Sequence, residues 1–327
     1  MKKACVTQAD PDTPVLGVCN APDSGAALIA NGRVIAAANE ERFTRNKLTD
    51  AFPQHALEWI LETHGLRPAD IRAVGCGAWR GPDPANTLPG LVRDAREQTC
   101  INPAAWSVCA QRACVSAARD AARRRDLLQG LARTGFDPAA VHFCDHHRAH
   151  ALTAFCCSPF DSAVVLTADG RGDGRSATLW QAHAGKELRL LDWCSEIVSP
   201  GAFFGFITHL LGFTPMRHEG KVAGMAAHGR RSAACDILRR GFGFDESSGR
   251  IRARVGGHYR PFLTAEPPEL ARSLAPYSRE DIAWAAQHIL EQALCGLVMA
   301  HLGVQPPGSV DLCLAGGCAA NVKLNME

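Results

Sequence analysis

Three side chains in this sequence are spaced for chemistry. His146 and His150 stand four residues apart, and Asp169 follows an apolar run and precedes glycines. On an α-helix, positions i and i+4 share a face, so the two imidazoles can reach one ion. A neighbouring carboxylate completes a mixed nitrogen and oxygen donor set, which suits iron, zinc or manganese and by itself selects none of them. The zinc-peptidase pattern H-E-x-x-H is excluded, because His147 occupies the place of the general-base glutamate. A capping role, or two half-buried histidines, is the structural alternative for the pair. Residues 169–174 (Asp-Gly-Arg-Gly-Asp-Gly) resemble a calcium loop without its distal glutamate. They read instead as a hairpin turn closing a strand that ends at Asp169, with backbone amides, Gly170 among them, facing an anion.

Two further segments have the composition of phosphate or nucleotide contacts. Ala315, Gly316, Gly317 and Asn321 form a strand, Gly-Gly, helix junction. Glycines there allow a nucleotide to lie against the backbone at a helix start, or serve tight packing alone. Lys221 lies between Gly220 and Gly224 in a small-residue segment, as a phosphate contact or as a surface lysine. Arg119, Arg123, Arg124 and Arg125 cluster on a helical stretch and read as a solvated face.

The elements that must position these groups follow from periodicity. Residues 15–19, 25–30 and 33–38 read as three strands, the last two joined by Asn31 and Gly32, a two-residue hairpin signal. The polar run 40–47 leaves the third strand as a solvated loop or a functional one. A helix is predicted over 52–65, a strand over 71–77, and a long helical region over 106–134. Residues 141–144 form a short strand that delivers His146 to the start of a helix reaching 157. Strands over 163–168 and 177–181 flank the glycine-rich turn, and 188–193 reads as another strand. Helices follow over 203–211 and 281–302, and a buried strand over 310–315. Residues 1–14 read as a loose N-terminus, 82–104 as a loop-rich insertion, and 241–280 as a surface excursion.

Composition narrows the function classes. The chain has 327 residues, 46% hydrophobic and 21% charged, with a formal net charge of +2, which fits an ordinary globular α/β protein of one large domain or two. That small charge gives no field for nucleic acid or membrane partners. No apolar run reaches the roughly 18 residues of a membrane span, and the N-terminus lacks the apolar core of a signal peptide. The 14 cysteines never form C-x-x-C, and most lie in apolar stretches. Reduced thiols in a cytoplasm explain them better than a disulfide framework.

Jointly, six segments resemble the NodU/CmcH-type O-carbamoyltransferases, the family that includes the tobramycin carbamoyltransferase. They are Glu40, Glu41, Arg42, Phe43, Thr44, Arg45 and Lys47; His146 with His150; Ser158, Pro159 and Phe160; Leu166, Thr167, Asp169 and Gly170; Gly220, Lys221, Val222, Gly224, Met225 and Ala226; and Ala315, Gly316, Gly317, Ala319 and Asn321. The match runs over about residues 15–325. It implies an actin-like ATPase fold (sugar kinase/Hsp70 type) with two β-sheet lobes, incomplete at the C-terminus.

It also implies a chemistry. Carbamoyl phosphate and ATP would give carbamoyl-adenylate, whose carbamoyl group passes to a hydroxyl of a small sugar-like or secondary-metabolite acceptor. Carried over by position, His146, His150 and Asp169 would hold a divalent metal, iron before zinc or manganese. Gly170, Gly316, Gly317 and Asn321 would lie against the nucleotide and Lys221 near its phosphates. Asp23, Arg42 and Lys47 would border the acceptor and the carbamoyl group. Two departures matter. Pro22 precedes Asp23 where the family has a histidine able to deprotonate the acceptor, and His228 stands where it often has tyrosine. The family also continues past Asn325 with a Gly-Asp segment and an adenylate-forming C-terminal domain, expected here from a separate domain or subunit. A non-catalytic nucleotide-binding remnant and an actin-like sugar kinase are the alternatives.

Overall fold

The computed structural model describes residues 13–81, 90, 92–94, 96, 103–254, 268–303 and 308–327. The chain divides into two compact units, Met1–Gly81 with Ala118–His146, and Pro82–Ala117 with His147–Glu327. Most of the loose N-terminus and most of the 82–104 insertion lie outside the described residues. Residues 90, 92–94 and 96 are helical rather than loop. Proline is compatible with a first helical turn, where no N–H is needed, so proline-rich composition was a poor guide there.

The first unit is built on a five-stranded sheet. Its strands are β1 (Val15–Cys19), β2 (Gly25–Ala30), β3 (Arg33–Asn39), β4 (Ala73–Cys76) and β5 (Val141–Phe143), in the order β3-β2-β1-β4-β5. β2 runs antiparallel to β1 and β3, while β4 runs parallel to β1 and β5. Asn31 and Gly32 turn the β2–β3 hairpin at positive φ (52° and 69°), as the dipeptide predicts. Alternate residues of the strands (Leu16, Val18, Leu28, Val74) face a core closed by Ala56, Leu57 and Ile60 of α2 (Gln54–Thr63). Leu127 and Leu131 of α3 (Pro103–Arg133) complete it.

The polar run after β3 is an anchored segment. It contains one short helical turn, α1 (Glu41–Thr44), and Glu40 before it is only 3% exposed. The Glu40 carboxylate accepts the backbone N–H groups of His55 and Ala56 at 3.3 and 2.9 Å and meets His55 Nδ1 at 2.5 Å. It thereby satisfies the otherwise orphaned donors at the start of α2. The hydrogen bond from Glu40, with its charge, raises the pKa of His55. A raised folded value means that this contribution is complete below the unfolded value of about 6.5 and is lost as pH rises through the folded one. Thermal midpoints are therefore expected to fall more steeply between about pH 6 and pH 8 in the wild type than in His55→Gln. Equal slopes in differential scanning fluorimetry would refute this.

The second unit has a four-stranded sheet of β6 (Ser162–Gly172), β7 (Arg175–His183), β8 (Arg189–Ser195) and β11 (Leu312–Ala315), ordered β11-β6-β7-β8. β6–β7 and β7–β8 are antiparallel, and β11 is parallel to β6. Counted from β8, this is the strand order and polarity of the first four places of the other sheet. Helix α9 (Arg279–Leu302), capped by Ser278, buries Ile282, Ala286, Ile289, Leu290, Ala293 and Leu297 in the core beneath. α4 (His146–Cys156), α5 (Pro200–Leu210), α6 (Glu219–Ala226), α7 (Ala234–Arg239) and α8 (Pro268–Leu274) are the other helices described here. None of the described helices is long and apolar enough to cross a membrane.

Four expectations are corrected. First, the described parts of the 241–280 stretch, 241–254 and 268–280, are no surface excursion. Strands β9 (Phe242–Asp245) and β10 (Arg250–Ala253) form a hairpin, and Phe242, Ile251, Ala253, Leu270 and Leu274 join the main core. Second, the small-residue segment at 219–226 is helix α6 rather than a loop, because alanine and methionine outweigh its two glycines. Third, β6 does not stop at Asp169. It continues to Gly172 through an irregular step between Ala168 and Gly172, and Asp173 and Gly174 make the turn with φ of 48° and 81°. Fourth, of the cysteines expected to be buried in apolar stretches, Cys76, Cys313 and Cys318 are buried, Cys19 and Cys144 are half-buried, Cys156 and Cys157 are exposed, and Cys5 lies outside the described residues. All twelve described cysteines are free thiols.

Candidate metal centre

Helix α4 begins at His146, so His146 and His150 lie one turn apart on the same flank. One ligand atom from each of His146, His150 and Asp169 lies within 4.8 Å of the others. His150 Nε2 lies 3.5 Å from Asp169 Oδ2. Tetrahedral metal bonds of about 2.1 Å put donor atoms about 3.4 Å apart, so the set needs little closure to hold an ion. Both side chains remain partly open, His150 at 34% and Asp169 at 28% exposure, which leaves access for further ligands. The donors fit a divalent first-row cation.

The strand irregularity after Ala168 is what presents Asp169, and its surroundings hold the backbone there. The Gly170 N–H donates to Asp169 Oδ1 at 2.7 Å, so the anion it meets is the protein's own carboxylate. Ser199 Oγ reaches the Gly170 carbonyl at 2.7 Å and accepts from the Ala202 N–H at 2.9 Å, capping α5 while pinning the strand. A Cβ on Gly201 would come within 2.6 Å of Gly170 N, so the start of α5 lies flush against this peptide. From the other side, Gly316 has φ 87° and ψ 169°, a region essentially restricted to glycine, and a Cβ there would meet Ala168 O at 2.3 Å. A Cβ on Gly317 would lie 3.1 Å from Asp169 Oδ1.

The structure thus gathers six of the sequence-derived residues (His146, His150, Asp169, Gly170, Gly316 and Gly317) around one bend of β6. Asn321 is committed locally. It exchanges two amide hydrogen bonds with the buried Gln287 of α9, at 2.8 and 3.0 Å, and its Oδ1 also accepts the Leu324 N–H. Lys221 is exposed on α6, with its ammonium 5.8 Å from the Phe213 ring centroid. Asp23, Arg42 and Lys47 belong to the first unit and are exposed. Asp23 sits at positive φ (65°) in the turn after β1. Ser24 stitches that turn to the 40–49 segment, donating to Thr49 O and accepting from Glu40 N. Sequence reasoning missed Ser199, Gly201 and Gln287. The Ser-Pro-Gly run at 199–201, a capping serine before an N1 proline, was the available signal for the first two.

Two sheets sharing one strand order define the class, an actin-like ATPase fold. Component A of the (R)-2-hydroxyglutaryl-CoA dehydratase of Acidaminococcus fermentans superposes with a TM-score of 0.50 over 96% of this chain and 86% of that one. At 13% identity that likeness is one of fold alone. The chain belongs to the carbamoyltransferase N-terminus family, whose model it matches over residues 14–327. The nodulation protein NolNO of Sinorhizobium fredii is 29% identical over 315 residues, covering 93% of this chain and 41% of the relative. An uncharacterized protein of Methanocaldococcus jannaschii is 25% identical over 318 residues, covering 96% of this chain and 52% of the relative. The chain therefore spans about half the length of the curated relatives it matches.

Proposed function

We propose that this chain is the acceptor-side portion of an O-carbamoyltransferase, which passes a carbamoyl group from carbamoyl-adenylate to a hydroxyl of a sugar-like or secondary-metabolite acceptor. The supporting observation is the convergence of His146, His150 and Asp169 within one matched family region. A divalent cation held there, iron before zinc or manganese, would supply Lewis-acid polarisation of the carbamoyl carbonyl. Asp169 would orient that cation through a backbone fixed by Ser199 and Gly316. ATP and carbamoyl phosphate are the donors in this reading, and a separate adenylate-forming domain or subunit supplies the activated carbamoyl group. Asp23, Arg42 and Lys47 would border the acceptor, Lys221 the phosphates, and Gly316, Gly317 and Asn321 the nucleotide.

Pro22 favours a second reading, a nucleotide-binding remnant without transfer activity, since proline cannot remove a proton from the acceptor. The two separate in one assay. The chain is given carbamoyl phosphate, ATP and hydroxyl acceptors, with and without an adenylate-forming subunit, and carbamate product is followed by mass spectrometry. Product that requires the added subunit, and that Asp169→Asn abolishes, is expected. Metal-free protein with no product under either condition supports the remnant, and full turnover by the chain alone overturns the division of labour.

A further inference from the structure

Between the two histidines of the candidate metal centre lies a third, His147, which is fully buried. Its Nδ1 lies 2.7 Å from Thr167 Oγ1, and Thr167 Oγ1 lies 2.7 Å from Thr178 Oγ1. The Trp180 indole N–H then donates to Thr178 Oγ1 at 2.5 Å. Both threonines are fully buried and Trp180 is 6% exposed. Thr167 and Thr178 are direct partners in the β6–β7 ladder, so the chain of hydrogen bonds crosses two strands and ends on helix α4.

The polarity of this chain follows from its far end. An indole nitrogen only donates, so Thr178 must accept there. If each hydroxyl uses its single proton along the chain, Thr178 donates to Thr167, and Thr167 donates to Nδ1 of His147. His147 Nδ1 is then the acceptor that ends the chain. In a low-dielectric interior such a chain is mutually polarised, and leaving one member without its partner is costly.

We infer that His147 is a positioning residue for the metal-binding pair, locking α4 to β6 through Thr167; the inference rests on the metal reading proposed above. With about 100° of rotation per residue, fixing the direction of His147 places His146 about 100° and His150 about 60° away on the same flank. Thr167 stands two residues before Asp169 and pairs with Ala315, the residue before Gly316. One buried hydroxyl thus registers the helix with the carboxylate and with the glycine junction that supports it. A hydrophobic contact would hold α4 against the sheet without choosing its rotation, whereas a directed hydrogen bond chooses it.

The test uses Thr167→Val, which keeps the shape and removes the hydroxyl, with Thr167→Ser as the conservative rescue. Cobalt(II) affinity and its visible spectrum are measured on the full chain, beside thermal midpoints. Thr167→Val is expected to weaken cobalt binding about 10–100-fold and to change the spectrum, as loss of an outer support does, while Thr167→Ser restores both. Leu131→Val, in the first unit, serves as a destabilised control that leaves cobalt binding unchanged. Unaltered binding in folded Thr167→Val, or an equal loss in the control, overturns the inference. If Thr167→Val fails to fold, nitrogen-15 NMR of the wild type decides: an unprotonated Nδ1 on His147 supports the polarity, and a protonated one overturns it. A wild type that binds no cobalt overturns the metal reading, a result distinct from these.

Discussion

His150→Ala is expected to lower the affinity of the chain for zinc or iron(II) by roughly 10²–10³. Four-ligand structural zinc sites hold about 10–16 kcal/mol, or about 2.5–4 kcal/mol per ligand, and each 1.4 kcal/mol is about tenfold in affinity. His150 Nε2 lies 3.5 Å from Asp169 Oδ2, so its loss removes a close contact and leaves two donors on separate elements. It is partly exposed, so truncation leaves no sealed void and the fold should survive. Calorimetric titration with metal, beside circular dichroism, reads both effects. A folded His150→Ala chain with unchanged affinity would remove the centre from consideration.

Phe242→Ala is expected to cost about 3–5 kcal/mol of stability in urea unfolding, the range for a buried phenylalanine. Phe242 is 1% exposed and its ring stacks on that of Phe203, with centroids 4.4 Å apart and planes 9° apart. Phe203 lies in α5, whose first turn pins the Asp169–Gly170 peptide, so part of this loss should reach the candidate metal centre. A surface position would give about 0.5 kcal/mol or less. A change that small would return the β9–β10 hairpin to the status of a surface excursion.

These two residues mark what the sequence made legible. The His146, His150 and Asp169 set was visible because helical spacing is fixed by geometry and because the matching motifs occur jointly. Strands β1 to β8 and β11 and the long helices α3 and α9 were visible for the same periodic reason. Phe242 was hidden because residues 241–280 are dense in turn residues, and a short hairpin between turns has too few positions to show alternation. The end of β6 was misplaced because glycine suggests a turn, whereas Asp173 and Gly174, an Asp-Gly pair, were the stronger hairpin signal. Ser199 and Gly201 were missed because they act through backbone approach from thirty residues away, which no local pattern records. Glu40 was undecided between solvated and functional, and its actual part is to cap a helix fifteen residues on.

The shared order of the two sheets has a consequence for where this chain keeps its polar groups. In each sheet the first strand is central, and a parallel strand lies beside it. Asp23 follows the first strand of one sheet, and Asp169 lies in the irregular step of the first strand of the other, three residues before its end at Gly172. The Gly77 to Gly81 segment leaves the parallel neighbour β4, just as Gly316 and Gly317 leave β11. The carboxyl ends of central strands are where open α/β sheets admit ligands. The two halves of the chain therefore repeat one strand arrangement, so that each serves as a map for reading the other.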